Sequence, residues 1–500
     1  MIIIHGKDDE EPKEEKAEGP AAAEPEAEPA PAAEQAPIEE PACPAGAAGA
    51  APIARSPITA DQVQAAHEAF AADPTARIAK NAASSTSLRT AARVPEAVAR
   101  VTNTFDVQLE QGDITDQKRS GRCWMFASLN TMRFRIMKKL NLKTFELSQA
   151  YPLFWDKYER AGWFLDNILS TAEQPTSSRE VSFLLADPVG DGGQWDMFKA
   201  LVKKYGVVPK EAMPETQASS NTGDLDAYLT RYLRAGAKEL REAVAAGEDA
   251  DRIAARRANI MQGVYRVLAI CLGEPPASFE VRIRDKDDKL VVSGTYTPQQ
   301  FFEDFVDMEL DDYVSVINAP TADKPYGRSY TVKFLGNVAE GGGVRYVNLP
   351  IERLKEAAVA QLQDGLPVWF GCDVDQSYSR ADCLMDPAAL DIDGLLGLPV
   401  MAGLDKAGRL DYGESLMTHA MVFQGVNLDA EGKPTLWRVE NSWGDDRSRK
   451  GWDLMSDEWF SEYVYQVVVD KKYLTEEERA AYDGDPIELA PWDPLGALAD

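Results

Sequence analysis

Residues 117–127 read Gln117-Lys118-Arg119-Ser120-Gly121-Arg122-Cys123-Trp124-Met125-Phe126-Ala127, and the run continues through Leu129, Met132, Phe134, Ile136, Met137 and Leu140. No Gly or Pro interrupts the chain after Cys123 for about five turns, and the apolar residues are too frequent for a one-sided stripe. The spacing predicts a helix buried nearly all round. Ser120-Gly121 breaks the chain just before it, so Cys123 falls in the first turn, where unpaired backbone N–H groups and the positive dipole end stabilise an anion. A thiol there is biased toward thiolate, its nucleophilic form. Arg122 adds positive charge, although an arginine beside a buried helix is expected to point to solvent. Taken alone, Cys123 reads more readily as a small buried hydrophobe, and only its partners elsewhere in the chain overturn that.

Two distant segments supply such partners. Thr418-His419-Ala420-Met421-Val422 sets a histidine at the head of an apolar strand, and Val439-Glu440-Asn441-Ser442-Trp443-Gly444 ends another strand. A cysteine nucleophile needs a base to take its proton and a third group to hold that base, roles that His and Asn can fill. The chain has three histidines; His5 lies in a polar tail and His67 in a soluble helix, so the base is His419.

Gln117 six residues before Cys123-Trp124, His419 before a strand and Asn441-Ser442-Trp443-Gly444 together resemble the papain-type cysteine peptidases. The closer similarity is to the bleomycin hydrolase and aminopeptidase C branch. It is carried by Ser120-Gly121-Arg122-Cys123-Trp124, Asp191-Gly192-Gly193-Gln194-Trp195-Asp196-Met197, Met417-Thr418-His419-Ala420-Met421 and Pro491-Trp492-Asp493-Pro494-Leu495-Gly496-Ala497-Leu498-Ala499, over roughly residues 56–500. The resemblance implies an α+β, papain-like fold of a helical lobe and a strand-rich, barrel-like lobe, with the active site between them. It also implies catalytic Cys123, His419 and Asn441, and an oxyanion hole formed by Gln117 and the Cys123 N–H. No cysteine stands at position 120, unlike the disulfide-bonded secreted relatives.

Composition sets limits. Five hundred residues with 44% apolar content can form a large core or two to three domains. The net charge is −29; residues 1–55 hold four basic and thirteen acidic side chains, a net −9, which leaves −20 for the rest. No concentration of Lys and Arg suits a phosphate backbone, so nucleic acid is not an expected partner. The cysteines are Cys43, Cys123, Cys271, Cys372 and Cys383, an odd number without paired spacing, which argues against a disulfide framework and against zinc. Cys372 reads as a buried strand thiol. Met1-Ile2-Ile3-Ile4 is too short for a signal-peptide core, and no run approaches a membrane span, so a reducing cytoplasm is expected.

Along the chain, residues 1–55 read as a disordered acidic extension rich in Ala, Pro and Glu. Thr59-Ala60-Asp61-Gln62 has the capping-box pattern and starts order in a helical catalytic lobe, 56–200, with a second helix over 148–169. Gly192 and Gly193 read either as a cleft wall where substrate backbone approaches closely or as a tight turn needing positive φ. Residues 201–325 are helical, with a strand pair over 279–292. This stretch separates nucleophile from base by 296 residues, against about 130 to 150 in papain itself, and reads as an insertion. The resemblance implies a hook used for oligomer contacts, with a homohexamer the usual state. Residues 326–480 read as the strand-rich lobe with His419 and Asn441; Trp443 would shield the hydrogen bond between them. Residues 381–403 depart most from the branch.

Residues 481–500 read as a C-terminal arm rich in Trp, Pro, Leu and Ile, unlike a disordered tail. The resemblance implies that the arm lies in the cleft and that its terminal carboxylate, on Ala499 or Asp500, meets the substrate's free α-amine. The function this implies is a cytoplasmic cysteine aminopeptidase acting on peptides without metal or organic cofactor. An oligoendopeptidase of the same branch and a catalytically silent oligomeric scaffold are the alternatives.

Overall fold

A computed structural model describes residues 55–110 and 112–497. The acidic extension, Cys43 and the terminal residues Ala499 and Asp500 lie outside the described residues. The chain divides into a short N-terminal unit ending at Ala66 and a large unit from His67 onward. The capping pattern forms as predicted: the Gln62 backbone N–H donates to the Thr59 hydroxyl (3.2 Å), Thr59 N–H donates to Gln62 Oε1 (2.9 Å), and a helix runs Ala60–Ala72.

The centre of the large unit is a twelve-stranded mixed sheet. Its middle strands are Tyr313–Ile317, Val464–Asp470, Val368–Cys372, His419–Leu428 and Pro434–Glu440, neighbours in that order and antiparallel. The first four read as largely apolar runs because both faces are covered, whereas Pro434–Glu440 alternates. Alternation sorts them: Trp369, Ala420, Val422 and Val468 join the core that contains the helix Cys123–Leu140. Phe370, Met421, Phe423 and Val467 join a second core with Leu354, Ala358 and Leu362 of the helix Ile351–Gln363. The strand period of two thus delivers one residue set to each helix.

Cys123–Leu140 is buried on all sides over most of its length, as its composition predicts. Beyond it, Ala150–Ser170 carries Gly223–Ala245 and Ala250–Leu272 on its flank. Their apolar stripes, Leu225-Leu229-Leu233-Ala237-Leu240 and Ile260-Val264-Leu268-Leu272, are spaced for one helix face and complete the same core. The hairpin Phe279–Arg284 and Leu290–Tyr296 follows.

Three strands of three or more residues escape the sequence reading, as do the two-residue strands Tyr378–Ser379 and Leu384–Met385. Tyr313–Ile317 is flanked by acidic residues, Trp452–Ser456 is short, and Ile487–Leu489 lies in the arm, where it adds in parallel to Arg328–Val332 at the sheet edge. Among the described residues no helix is long and apolar enough to cross a membrane.

Candidate active site

The loop before Cys123 is fastened from below. Gly121 N–H donates to Asp191 Oδ2 (2.8 Å), Trp124 Nε1 donates to the Asp191 carbonyl (2.8 Å), and the Thr222 hydroxyl donates to the Asp191 carboxylate. Asp191 also pairs with Lys157 at 2.7 Å; Lys157, wholly buried, contacts Asp226 at 2.5 Å. Burial alone would raise the Asp191 pKa, but the Lys157 ammonium and the donors around it hold the carboxyl well below its usual range. Arg122 corrects the expectation of a solvent-facing side chain. It is buried, its guanidinium forks onto Glu215 with two 3.0 Å bonds, and its Nε donates to Ser120 Oγ (2.8 Å). Helix start, loop and arginine therefore form one clamp. Glu215→Ala would leave Arg122 buried without its counter-ion, an expected loss of about 3 kcal/mol measured as a lower denaturation midpoint.

Cys123 is buried in the first helical turn. The Trp369 indole donates to the Trp124 carbonyl (3.3 Å), tying this turn to the strand Val368–Cys372, whose Cys372 is the register partner of His419. Cys372 is a strand thiol pushed well above its ordinary pKa by burial first and by Asp373 next, with Cys123 among the groups acting on it.

Gln117 crosses to the other lobe. Its backbone N–H donates to the Ser442 carbonyl (2.8 Å), the Ser442 hydroxyl donates to Gln117 Oε1 (2.6 Å), and Gln117 Nε2 donates to the Ser120 carbonyl (2.7 Å). The amide is locked at both ends, with its second N–H fixed in direction. Asp116 bridges to Trp443 across the same seam. His419 Nε2 lies 3.0 Å from Asn441 Oδ1, and both residues are buried. The half-buried Trp443 ring stands 4.7 Å from the imidazole, tilted by 32°. With Nε2 engaged, Nδ1 is the nitrogen left to take a proton. Burial pushes the imidazole down to about 4; the Asn441 bond and Asp453 oppose the shift without overcoming it.

Neither Gly192 nor Gly193 has positive φ, so neither is required by a left-handed turn conformation. A Cβ on Gly193 would overlap the Trp124 indole, so the glycine is what lets this segment close against the helix Cys123–Leu140. The next residue, Gln194, donates from Nε2 to the Ala497 carbonyl (2.7 Å). The arm is anchored on the way: Asp493 to Lys324 (3.0 Å), Trp492 under the Arg179 guanidinium (3.7 Å), Leu495 buried with its carbonyl accepting from Tyr346 (3.3 Å). Its last described residue, Ala497, is therefore held next to Gly192-Gly193.

A buried cysteine at a helix start, an imidazole held by an asparagine and an amide locked between them invite comparison with known proteins. The family model described as the Peptidase C1-like family matches residues 57–496. This chain belongs to the Peptidase C1-like family of cysteine peptidases. Within it, the similarity is to the aminopeptidase C and bleomycin hydrolase branch. Aminopeptidase C of Streptococcus thermophilus is 52% identical over 395 residues, 79% of this chain and 88% of that protein. Bleomycin hydrolase of Homo sapiens is 41% identical over 456 residues, covering 90% and 100%. The crystal structure of PepW from Lactobacillus rhamnosis superposes with a TM-score of 0.87 at 47% identity, covering 89% of this chain and all of that one.

Several residues of this Peptidase C1-like site are not visible in its sequence. Asp191 opens a quoted motif, yet its hold on Gly121 spans 70 positions and only the fold shows it; Glu215, 93 positions from Arg122, has no local mark. Ser442 sits inside a quoted motif, yet only the fold gives its hydroxyl a partner. Asp453, buried in the strand Trp452–Ser456, accepts from Asn441 Nδ2 (2.8 Å) and from the Tyr378 hydroxyl (2.7 Å). Among the described residues no group of three or more His, Cys, Asp or Glu side chains is arranged to hold a metal ion, and no disulfide joins the cysteines.

Proposed function

We propose that the chain is a cysteine aminopeptidase in which Cys123 is the nucleophile, His419 its base, Asn441 the group that holds His419, and Gln117 with the Cys123 N–H the oxyanion donors. The observation that carries this reading is the continuous set of bonds from the Cys123 helix start through Gln117 and Ser442 to the Asn441–His419 pair. Cys123 passes its proton to His419 Nδ1 and attacks the peptide carbonyl. The oxygen gathers charge against two fixed donors, each worth about 2.7 to 4 kcal/mol by mutation in other enzymes. His419 then gives its proton to the leaving amine, and water resolves the thioester. The anchored arm supports exopeptidase action: Gln194 holds the Ala497 carbonyl beside Gly192-Gly193, and in this reading the carboxylate carried by Ala499 or Asp500 meets a substrate's α-amine.

Paired peptides with free and acetylated N-termini, assayed before and after thiol alkylation, test the reading. The free peptide should be hydrolysed far faster, and alkylation should abolish both rates. Equal rates on the two would indicate an oligoendopeptidase. Cytoplasmic location and a homohexamer belong to the same proposal, supported by the family resemblance and by four described cysteines that are outside any disulfide; sedimentation of the purified chain checks the assembly.

The pH dependence follows from burial of His419. Its neutral, proton-accepting form persists down to about 4, so the acid limb of kcat/KM is expected near pH 4 and not near 6.5. The same depression works against stability in acid. As pH falls through 6.5 the unfolded chain takes up a proton that the folded imidazole refuses until about 4, so stability declines across that window. A pH profile of kcat/KM alongside denaturation midpoints measures both.

A further inference from the structure

An asparagine that holds a catalytic histidine must present oxygen and not nitrogen, and a planar amide can turn over. Turned over, Asn441 would aim Nδ2–H at His419 Nε2, and the imidazole would have to carry its proton on Nδ1. That is the wrong tautomer for accepting from the thiol, because the nitrogen facing Cys123 would already be protonated. Two groups prevent it. Ser442 N–H, a donor only, points at Asn441 Oδ1 (2.7 Å), and the Asp453 carboxylate faces Asn441 Nδ2 (2.8 Å).

We infer that Asp453 is a positioning residue for this peptidase: its carboxylate fixes the orientation of the Asn441 amide and, through it, the tautomer of His419. The inference rests on the reading of Asn441 as the group that holds His419.

The surroundings of Asp453 fit that task. The residue is wholly buried, so its oxygens must be satisfied by protein donors. Asn441 Nδ2 serves Oδ2 and the Tyr378 hydroxyl serves Oδ1, each at 2.7–2.8 Å. Arg447 supplies the counter-charge from 3.3 and 3.5 Å and also donates to the Tyr378 hydroxyl. The Arg447 guanidinium lies 5.1 Å above the Trp443 ring, the same ring that covers His419. Charge, ring and amide are thus one unit, built on the strand Trp452–Ser456, which pairs with the strand leading to Asn441.

A double-mutant cycle tests the inference, because a residue acting only through Asn441 loses its effect when Asn441 is removed. Asp453→Ala should lower kcat about 10- to 100-fold with KM within about twofold, and in an Asn441→Ala background the same change should cost less than about twofold. Asp453→Asn, whose amide oxygen can still take the Asn441 bond, should recover most of the kcat; if Asp453→Ala does not fold, Asp453→Leu, of similar volume and unable to accept that bond, takes its place in the cycle with the same expected losses. Wild-type kcat in Asp453→Ala, or an equal loss in both backgrounds, overturns the inference. Asn441→Ala alone addresses the underlying reading: full activity there refutes the role of Asn441, whereas a loss there with none from Asp453→Ala refutes only the role of Asp453.

Discussion

Replacing Cys123 by alanine is expected to lower kcat by about 10⁵-fold or more while the protein remains folded. Deleting the nucleophile of a triad enzyme elsewhere costs about 2 × 10⁶, because base and oxyanion donors have nothing left to act on. The structural change is small by comparison. Alanine is the best helix former, the position is the first turn of a long helix, and only a sulfur atom is removed from the core, a change of about 1 kcal/mol. The clamp of Arg122, Glu215 and Asp191 does not involve the sulfur and keeps the loop in place. Activity and thermal unfolding of the same preparation separate the two effects. Substantial hydrolysis by a pure Cys123→Ala variant would remove the nucleophile from the account.

The second large effect concerns the arm. A chain ending at Gly496 keeps Leu495 in its pocket, the Asp493–Lys324 pair, Trp492 under Arg179 and the Ile487–Leu489 edge strand, so its fold should survive. It loses the Ala497 bond to Gln194 and every residue beyond. If a terminal carboxylate meets the substrate amine there, one charge-assisted hydrogen bond, about 1.5 to 3 kcal/mol, disappears. Hydrolysis of free-amine peptides should fall about 10- to 100-fold, and N-acetylated peptides, no longer obstructed, should be cleaved internally. A truncated enzyme with unchanged preference for free N-termini would show that the arm does not set specificity.

How far the sequence anticipates these features depends on whether the relevant forces are local. The Cys123 helix is legible because a Ser-Gly break and an uninterrupted apolar run act over neighbouring residues. His419 stands out because the chain has so few histidines, and Asn441 because Ser442-Trp443-Gly444 follow it. Arg122 was legible only as a charge; its partner Glu215 comes from another part of the chain, and the pairing reverses the expected direction of the side chain. Gly193 reads as a turn or a substrate contact, and the Trp124 ring that leaves no room for a side chain there comes from a distant part of the chain. Ile487–Leu489 becomes a strand through an available sheet edge that no local propensity announces. Asp453 is a single carboxylate in a short strand, and its partners converge from Tyr378, Asn441 and Arg447.

The central claim, that Cys123 is activated by His419, is tested most directly by alkylating the native enzyme with iodoacetamide at pH 6 while mass spectrometry locates the label. The account predicts that Cys123 reacts ahead of every other cysteine, that activity falls in proportion to its labelling, and that the advantage vanishes in His419→Ala. A fully labelled Cys123 with activity intact, or a Cys123 no more reactive than the half-buried Cys271, would contradict it.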